Sequence, residues 1–370
     1  MIVTLPAYMI PWNSDVWLPA SFTPTNDWGK TIRPPGCAAC FQGPRSEPMT
    51  TATHNLMLLA YGGPNSLEDV GPYLLDVRNY RPTPDHIIEE ITDRYRQIGG
   101  RSPILELTNA EAAGIEHALN DQAEDGETWK VWVGMRHWHP FIKDVFAEMS
   151  DDGVTEAVGL VMAPHYSKMS IGAYFKRADD AGSPVRLRQI SHWHLLPGYL
   201  DALAERVQDA LKKFPEQERD QVPVIFTAHS LPERIRTWDD PYERELQETV
   251  AALRERLSDQ PWEWAYQSAA MTPDPWLGPD AGEVIARLQG EGIRNVLICP
   301  IGFICEHVEI LFDIDVEFRQ QAEKLGMHLE RIEMLNDHPL LLRSLAAMVR
   351  EKVASGDLVE PEMRQAAVAT

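Results

Sequence analysis

At 370 residues, 44% apolar and 24% charged, the chain has the composition of a globular protein long enough for two ordinary domains. A formal charge of −22 argues against a general nucleic-acid binder or a polybasic membrane-surface protein, and any anionic ligand must be met by locally gathered cations. No stretch reaches the roughly 18 apolar residues of a transmembrane span, and the amino terminus lacks the basic start of a secretory signal, so a cytoplasmic location is expected.

In chain order, residues 1–48 come first, with recurring Pro and Trp and neither helical nor strand periodicity. They read as an extension with little structure of its own, or as a segment ahead of a start at Met49. Its Cys37 and Cys40 form one CxxC without a second pair, a weak zinc signal. Strand-like apolar runs then appear at 54–61, 130–135, 157–164, 189–193, 222–228, 264–268, 296–303 and 329–335. Helix-like segments alternate with them at 84–98, 109–120, 140–149, 198–213, 241–257, 280–289 and 337–353. This alternation predicts an α/β protein with parallel, doubly wound sheets, and eight strands fit two sheets better than one. No GxGxxG follows the first run, so no nucleotide is expected.

Ligands in this fold class bind outside the carboxyl ends of the strands, where the sequence puts Tyr61, Arg136, His137, His165 and His229. The richest segment is GFICEHVEILFDIDVE at 302–317. A helix from about Glu306 would stack Glu309, Asp313 and Glu317 four residues apart on one face. Three like charges so spaced repel unless a cation or proton joins them; the plainer alternative is a solvated helix face. His229 ends an apolar strand before Ser-Leu-Pro, and an imidazole opposite such a ladder can take protons and hold a divalent ion.

Among the other histidines, His137, His139 and His165 are candidate cleft residues, whereas His192 and His194 alternate on a strand and read as packing or surface positions. Cys299 and Cys305 read as small apolar side chains, with Cys305 a reserve soft ligand. Arg78, Arg81, Arg101 and Arg136 are candidate carboxylate clamps or ordinary surface ion-pair partners. Tyr61, Tyr166, Met169, Tyr174 and Trp276 could wall a flat ligand or serve as core.

With these residues in view, the chain resembles the ferrochelatases over about Leu56 to Lys352. The matching pieces are AYGGP at 60–64, RYRQIGGRSPI at 94–104, GMRHWHPFI at 134–142, APHYS at 163–167 and SKMSIGAYFKRA at 167–178. TAHSLPERI at 227–235, YQSAAMTPDPWLGPD at 266–280 and PIGFICEHVEILFDID at 300–315 follow in the same order. The resemblance implies two Rossmann-like domains, each with a parallel four-stranded sheet, and a porphyrin cleft between them. One would hold 49–165 plus 333–370, the other 166–332.

It also implies insertion of ferrous iron, as substrate, into a porphyrin. His229 and Glu309 would be the catalytic pair that receives iron and removes pyrrole protons. Tyr61 would approach the metal from the other face, and Asp313 and Glu317 would be further metal residues in an acidic line leading away, able to pass metal or protons, with Arg94 near its outer end. Arg78, Ser102, Arg136 and His137 match positions near the propionates, and Tyr174 and Trp276 lie on loops lining the cleft. AYG and the acidic character resemble the coproporphyrin III branch rather than the protoporphyrin IX branch; a non-catalytic porphyrin or haem carrier and a sirohydrochlorin-type chelatase are the rival readings. With no cysteine beyond Cys305 an iron–sulfur cluster is not expected, and Asn79 stands where some relatives have an arginine. A monomer is expected, with an iron donor and haem-pathway enzymes as possible partners.

Overall fold

A computed structural model describes residues 52–358 apart from 125 and 271. The extension at 1–48, the start at Met49 and the Cys37/Cys40 pair lie outside the described residues.

Eight strands form two parallel four-stranded sheets, as the alternating pattern predicts. The first sheet has the order β2-β1-β3-β4, with β1 Ala52–Ala60, β2 Glu127–Met135, β3 Glu156–Val161 and β4 Arg186–Ile190. The second has the order β6-β5-β7-β8, with β5 Val224–His229, β6 Trp262–Gln267, β7 Asn295–Pro300 and β8 His328–Arg331. The central strands are buried almost without a break, as parallel strands covered on both faces require.

The helices are α1 Val70–Val77, α2 Asp85–Gln97, α3 Ile104–Asn120, α4 Ile142–Asp151, α5 Ile171–Asp180 and α6 Pro197–Leu211. They continue with α7 Tyr242–Leu257, α8 Ala281–Gly290, α9 Val308–Leu311, α10 Arg319–Lys324 and α11 Pro339–Ser355. None of the described helices is long and apolar enough to cross a membrane.

Helices α1 and α5, and the short α10, stand where the sequence reading has none. In α1, Pro72 occupies the first turn, where its missing N–H costs nothing. In α5, Ile171, Tyr174, Phe175 and Ala178 are buried at helical spacing.

Strand β4 pairs in parallel with β3 and so shares the first sheet; the expected boundary between 165 and 166 falls between these two strands. His192 and His194 accordingly lie in the loop after β4, not on a strand. One apolar core includes Leu56, Leu58 and Leu160 of the first sheet and Val224, Phe226 and Leu297 of the second, with Leu341 and Leu345 of α11. Helix α11 packs against both α3 and α6.

The strand orders fix where a ligand can sit. From β1 the chain crosses to β2 on one side and β3 on the other, so the switch point lies between the ends of β1 and β3; in the second sheet it lies between β5 and β7. Tyr61 after β1, Met162 and Ala163 after β3, His229 ending β5, and Gly302 to Ile304 after β7 all line one cleft.

Candidate active site

The cleft has a volume of about 410 Å³, in the range of small-molecule sites. Its walls are mostly apolar and aromatic, with Tyr73, Tyr95, Met162, Met169, Tyr174 and Phe303 among them. It collects Tyr61, Ser102, Arg136, His137, Tyr174, His229 and Glu309 around one space. A further cavity of about 460 Å³ opens beside Trp129 and Trp132 near the amino ends of β1 and β3, away from these residues.

His229 and Glu309 meet on the wall of the cleft formed by the second sheet's unit, with Nε2 3.6 Å from Oε1. His229 is fixed from behind: its Nδ1–H donates to the Ser230 carbonyl, and its own carbonyl accepts from the Tyr242 hydroxyl at 2.9 Å. That tautomer leaves Nε2 directed at the cleft. Close packing holds β5 there, because a Cβ on Gly302 would stand 2.8 Å from Ala228 Cβ and 3.1 Å from Ala228 Cα. Glu309 is held by Gln267, whose Nε2 donates to the Glu309 carbonyl at 3.0 Å.

Burial opposes charge on both members, but their mutual attraction prevails. Glu309 is held well below the usual carboxylate range by His229 and, less strongly, by His307, whose Nε2 lies 3.7 Å from Oε2. His229 is raised above the ordinary imidazole value by the Glu309 charge and the Ser230 carbonyl. His307 is not among the sequence candidates, although it sits two residues before Glu309 in the acid-rich segment at 302–317.

The acidic ladder is not a single α-helix. The single turn of α9 gives way at residues 313–318 to a π-helix, marked by the Glu317 N–H bonding the Phe312 carbonyl at 3.0 Å. Asp313 is 3% exposed and accepts a hydrogen bond from the Ser268 hydroxyl. Its pKa is pushed up to about 7 by burial and the neighbouring Glu309 charge, against the pull of Ser268 and Arg94. Buried Arg94 on α2 reaches Asp313 at 3.7 Å and Glu317 at 4.0 Å, and its guanidinium lies over the Phe312 ring at 4.8 Å. A cation and a partly retained proton thus relieve the repulsion that the spacing implies.

On the opposite wall, Tyr61 is 38% exposed into the cleft yet ringed by protein, and burial pushes its phenol up to about 12, with Arg136 opposing. Its ring lies 4.7 Å from His137, and the Arg136 guanidinium stands 5.2 Å from the Tyr174 ring. His137 Nδ1 is 2.8 Å from Asp76 Oδ1, and Arg177 donates to both oxygens of that carboxylate at 2.9 and 2.7 Å. Burial lowers His137 to about 4, more than Asp76 can offset, so it faces the cleft as a neutral imidazole.

Several candidates stand elsewhere. Arg78 and Trp276 do not line the cleft, although Val77 and Asn79 do; Trp276 bridges to Pro232 and donates to Thr272 at 2.8 Å. Arg101 pairs with Glu106 on the surface at 2.9 Å. His165 turns away and bonds Thr249 at 2.8 Å. Cys305 does line the cleft, but burial raises its thiol well above the usual range, which works against a ligand role. Lys168, absent from the sequence candidates, lines the same space on the loop before α5.

Two doubly wound sheets with both switch points turned to one apolar slot, and an imidazole and a carboxylate closing on it, are the architecture of a chelatase. The ferrochelatase family model matches residues 53–353, and the chain belongs to that family. A ferrochelatase of Deinococcus radiodurans is 43% identical, the match covering 83% of this chain and 99% of that one. A coproporphyrin III ferrochelatase of Geobacillus kaustophilus is 37% identical, covering 83% and 98%. Among solved structures, SirB of Bacillus subtilis with Fe3+ has the same fold at a TM-score of 0.50 and 12% identity, covering 83% of this chain and 98% of that one. The chain is therefore a metal-insertion enzyme acting on a porphyrin-type substrate, with ferrous iron as the metal substrate.

Proposed function

We propose that the cleft inserts ferrous iron into coproporphyrin III to give coprohaem, and that His229 and Glu309 are its proton-accepting and iron-receiving pair. The observation that carries this reading is the 3.6 Å approach of Nε2 to a carboxylate oxygen at the junction of the two switch points. A planar porphyrin presents two N–H protons where the iron must go. In its unprotonated form His229 takes a proton at Nε2, and the raised affinity that Glu309 gives it favours that transfer; Glu309, kept ionised, attracts the hydrated ion and replaces part of its water shell.

Asp313, poised near neutrality, relays protons toward Glu317 and solvent. Arg94 stands where a second cation would have to sit, which favours proton traffic over metal residence along this line. Tyr61 stays a neutral phenol on the opposite wall and offers the metal an uncharged oxygen. Neutral His137, Ser102 and the cations Arg136 and Lys168 hold the ring's periphery, while Tyr174 packs against its face. Arg78 and Trp276 act from outside the cleft lining. Binding the periphery tightly favours a bent macrocycle whose nitrogen lone pair points at the pair.

The choice of coproporphyrin rests on the name carried by the Geobacillus relative and on Arg136 and Lys168, which suit a ring with four propionates rather than two. A cytoplasmic setting belongs to the same reading and is supported by the strong acidity. Parallel iron-insertion assays with coproporphyrin III and protoporphyrin IX test the substrate. Preference for the first is expected; preference for the second reverses the assignment, and binding of both without insertion would mark a carrier.

A further inference from the structure

Outside the cleft, one side-chain cluster among the described residues has the makeup of a metal site. His192 and His194 stand on the loop after β4, and Glu245 on the first turn of α7. One ligand atom from each lies within 4.8 Å of the others, and none of the three lines the cleft. His192 Nδ1 is 2.8 Å from Glu245 Oε1, and His194 Nδ1 is 3.6 Å from Oε2. Tetrahedral ligands about 2.0–2.1 Å from zinc stand about 3.3 Å apart, so these two spacings bracket the value a bound ion would impose.

The telling residue is His194, 6% exposed. Its Nε2 lies 2.8 Å from Glu248, while its Nδ1 is buried without a hydrogen-bond partner. With Nε2 on the Glu248 carboxylate, Nδ1 is turned toward an oxygen of Glu245, itself 2% exposed. At 3.6 Å the two are too far apart for a good direct hydrogen bond, and a metal ion between them would satisfy both. A carboxylate on the far nitrogen is also the arrangement that orients a metal-ligating histidine.

We propose that His192, His194 and Glu245 form a second divalent-metal site, distinct from the site of insertion, for an ion of borderline softness such as zinc. Two imidazoles and one carboxylate leave a fourth position for water. The bound ion ties the loop after β4, in the first sheet's unit, to α7. Glu245 Oε2 also accepts the Tyr166 N–H at 2.6 Å, so the ion stiffens the loop that carries Lys168 and Met169 into the cleft.

Equilibrium dialysis of the full chain against Zn2+ tests this in an E309Q background, which weakens cleft binding. One bound equivalent is expected in E309Q, at least tenfold weaker in E309Q/H192A and about ten- to a hundredfold weaker in E309Q/E248Q. His192 is half-exposed, so H192A keeps the fold, checked by far-UV circular dichroism. Cobalt substitution adds a second readout: visible absorption of a four-coordinate site in E309Q, lost in E309Q/H192A. Equal zinc occupancy in E309Q and E309Q/H192A, or none in either, overturns the proposal. If instead Glu309 is not part of the cleft's metal site, an additional equivalent persists in every variant while H192A still removes one, so the two readings fail separately.

Discussion

Replacing Asp313 by asparagine should flatten the pH dependence of stability across the mildly acidic range. The buried carboxyl titrates near 7 in the folded protein, against an ordinary value of 3.8 once unfolding returns it to water. Between those values the native state holds the proton more tightly than the unfolded chain does. Stability from this group is therefore full below the lower value and is lost as pH rises through the upper one. Integrating between about pH 5 and about pH 7.5 gives a loss of about 2.5 kcal/mol, against a full span of about 4 kcal/mol. The amide of D313N cannot titrate, so the difference in unfolding free energy between wild type and variant should change by about that amount across the interval. Urea unfolding of both proteins at the two pH values measures it, because lost Arg94 pairing enters both differences alike to first order. A difference that stays constant within about 0.5 kcal/mol would mean that Asp313 is ionised throughout, and the proton-relay role would go with it.

Four further outcomes are expected. H229A and E309Q should each cut iron insertion by about a hundredfold or more while porphyrin binding, followed by fluorescence quenching, survives; normal turnover in both would sink the assignment. In E309Q the His229 imidazole should titrate lower than in wild type, because the carboxylate that stabilises its cation is gone, and nitrogen NMR of the ring reads this directly. R136M and K168M should raise KM more for coproporphyrin III than for protoporphyrin IX, measured in parallel steady-state assays. G302A should cost about 1–3 kcal/mol by pressing a methyl group into Ala228, and should lower kcat further by displacing the end of β5 that carries His229.

The central strands β1, β3, β5 and β7 were readable because a parallel sheet covered on both faces demands apolar runs, whereas the edge strand β4, with Arg186, Arg188 and Gln189, lies at 186–190 rather than 189–193. That His229 and Glu309 both line the cleft was readable for a related reason: one ends an apolar run and the other lies in the segment just after one, where ligands gather in this fold class. What escaped was geometry without a one-dimensional trace. Helix α1 carries Gly71 and Pro72, which read as a turn until the proline is seen in the first helical turn. Helix α5 was within reach, since Ile171, Tyr174, Phe175 and Ala178 keep helical spacing, but Gly172 and the preceding Ser-rich stretch masked it. The π-helix at 313–318 has no sequence signature, because a widened turn changes which side chains are neighbours without changing the residues. Lys168, His192, His194 and Glu245 acquire meaning only when the loops after β3 and β4 are folded against α7. The meeting of Arg94 with Asp313 and Glu317, on elements more than 200 positions apart, was expected through the family resemblance alone, since no local pattern in the chain carries it.

The shared apolar core beneath both sheets bears on how a macrocycle is bent. A jaw hinged between the two units would have to tear Leu56, Phe226 and Leu345 out of common packing at every turnover. The frame instead behaves as a stiff vice, and the parts left to adjust are the loops at its mouth and the ring itself. On the proposed mechanism, deformation energy would then be stored in the guest rather than in the host.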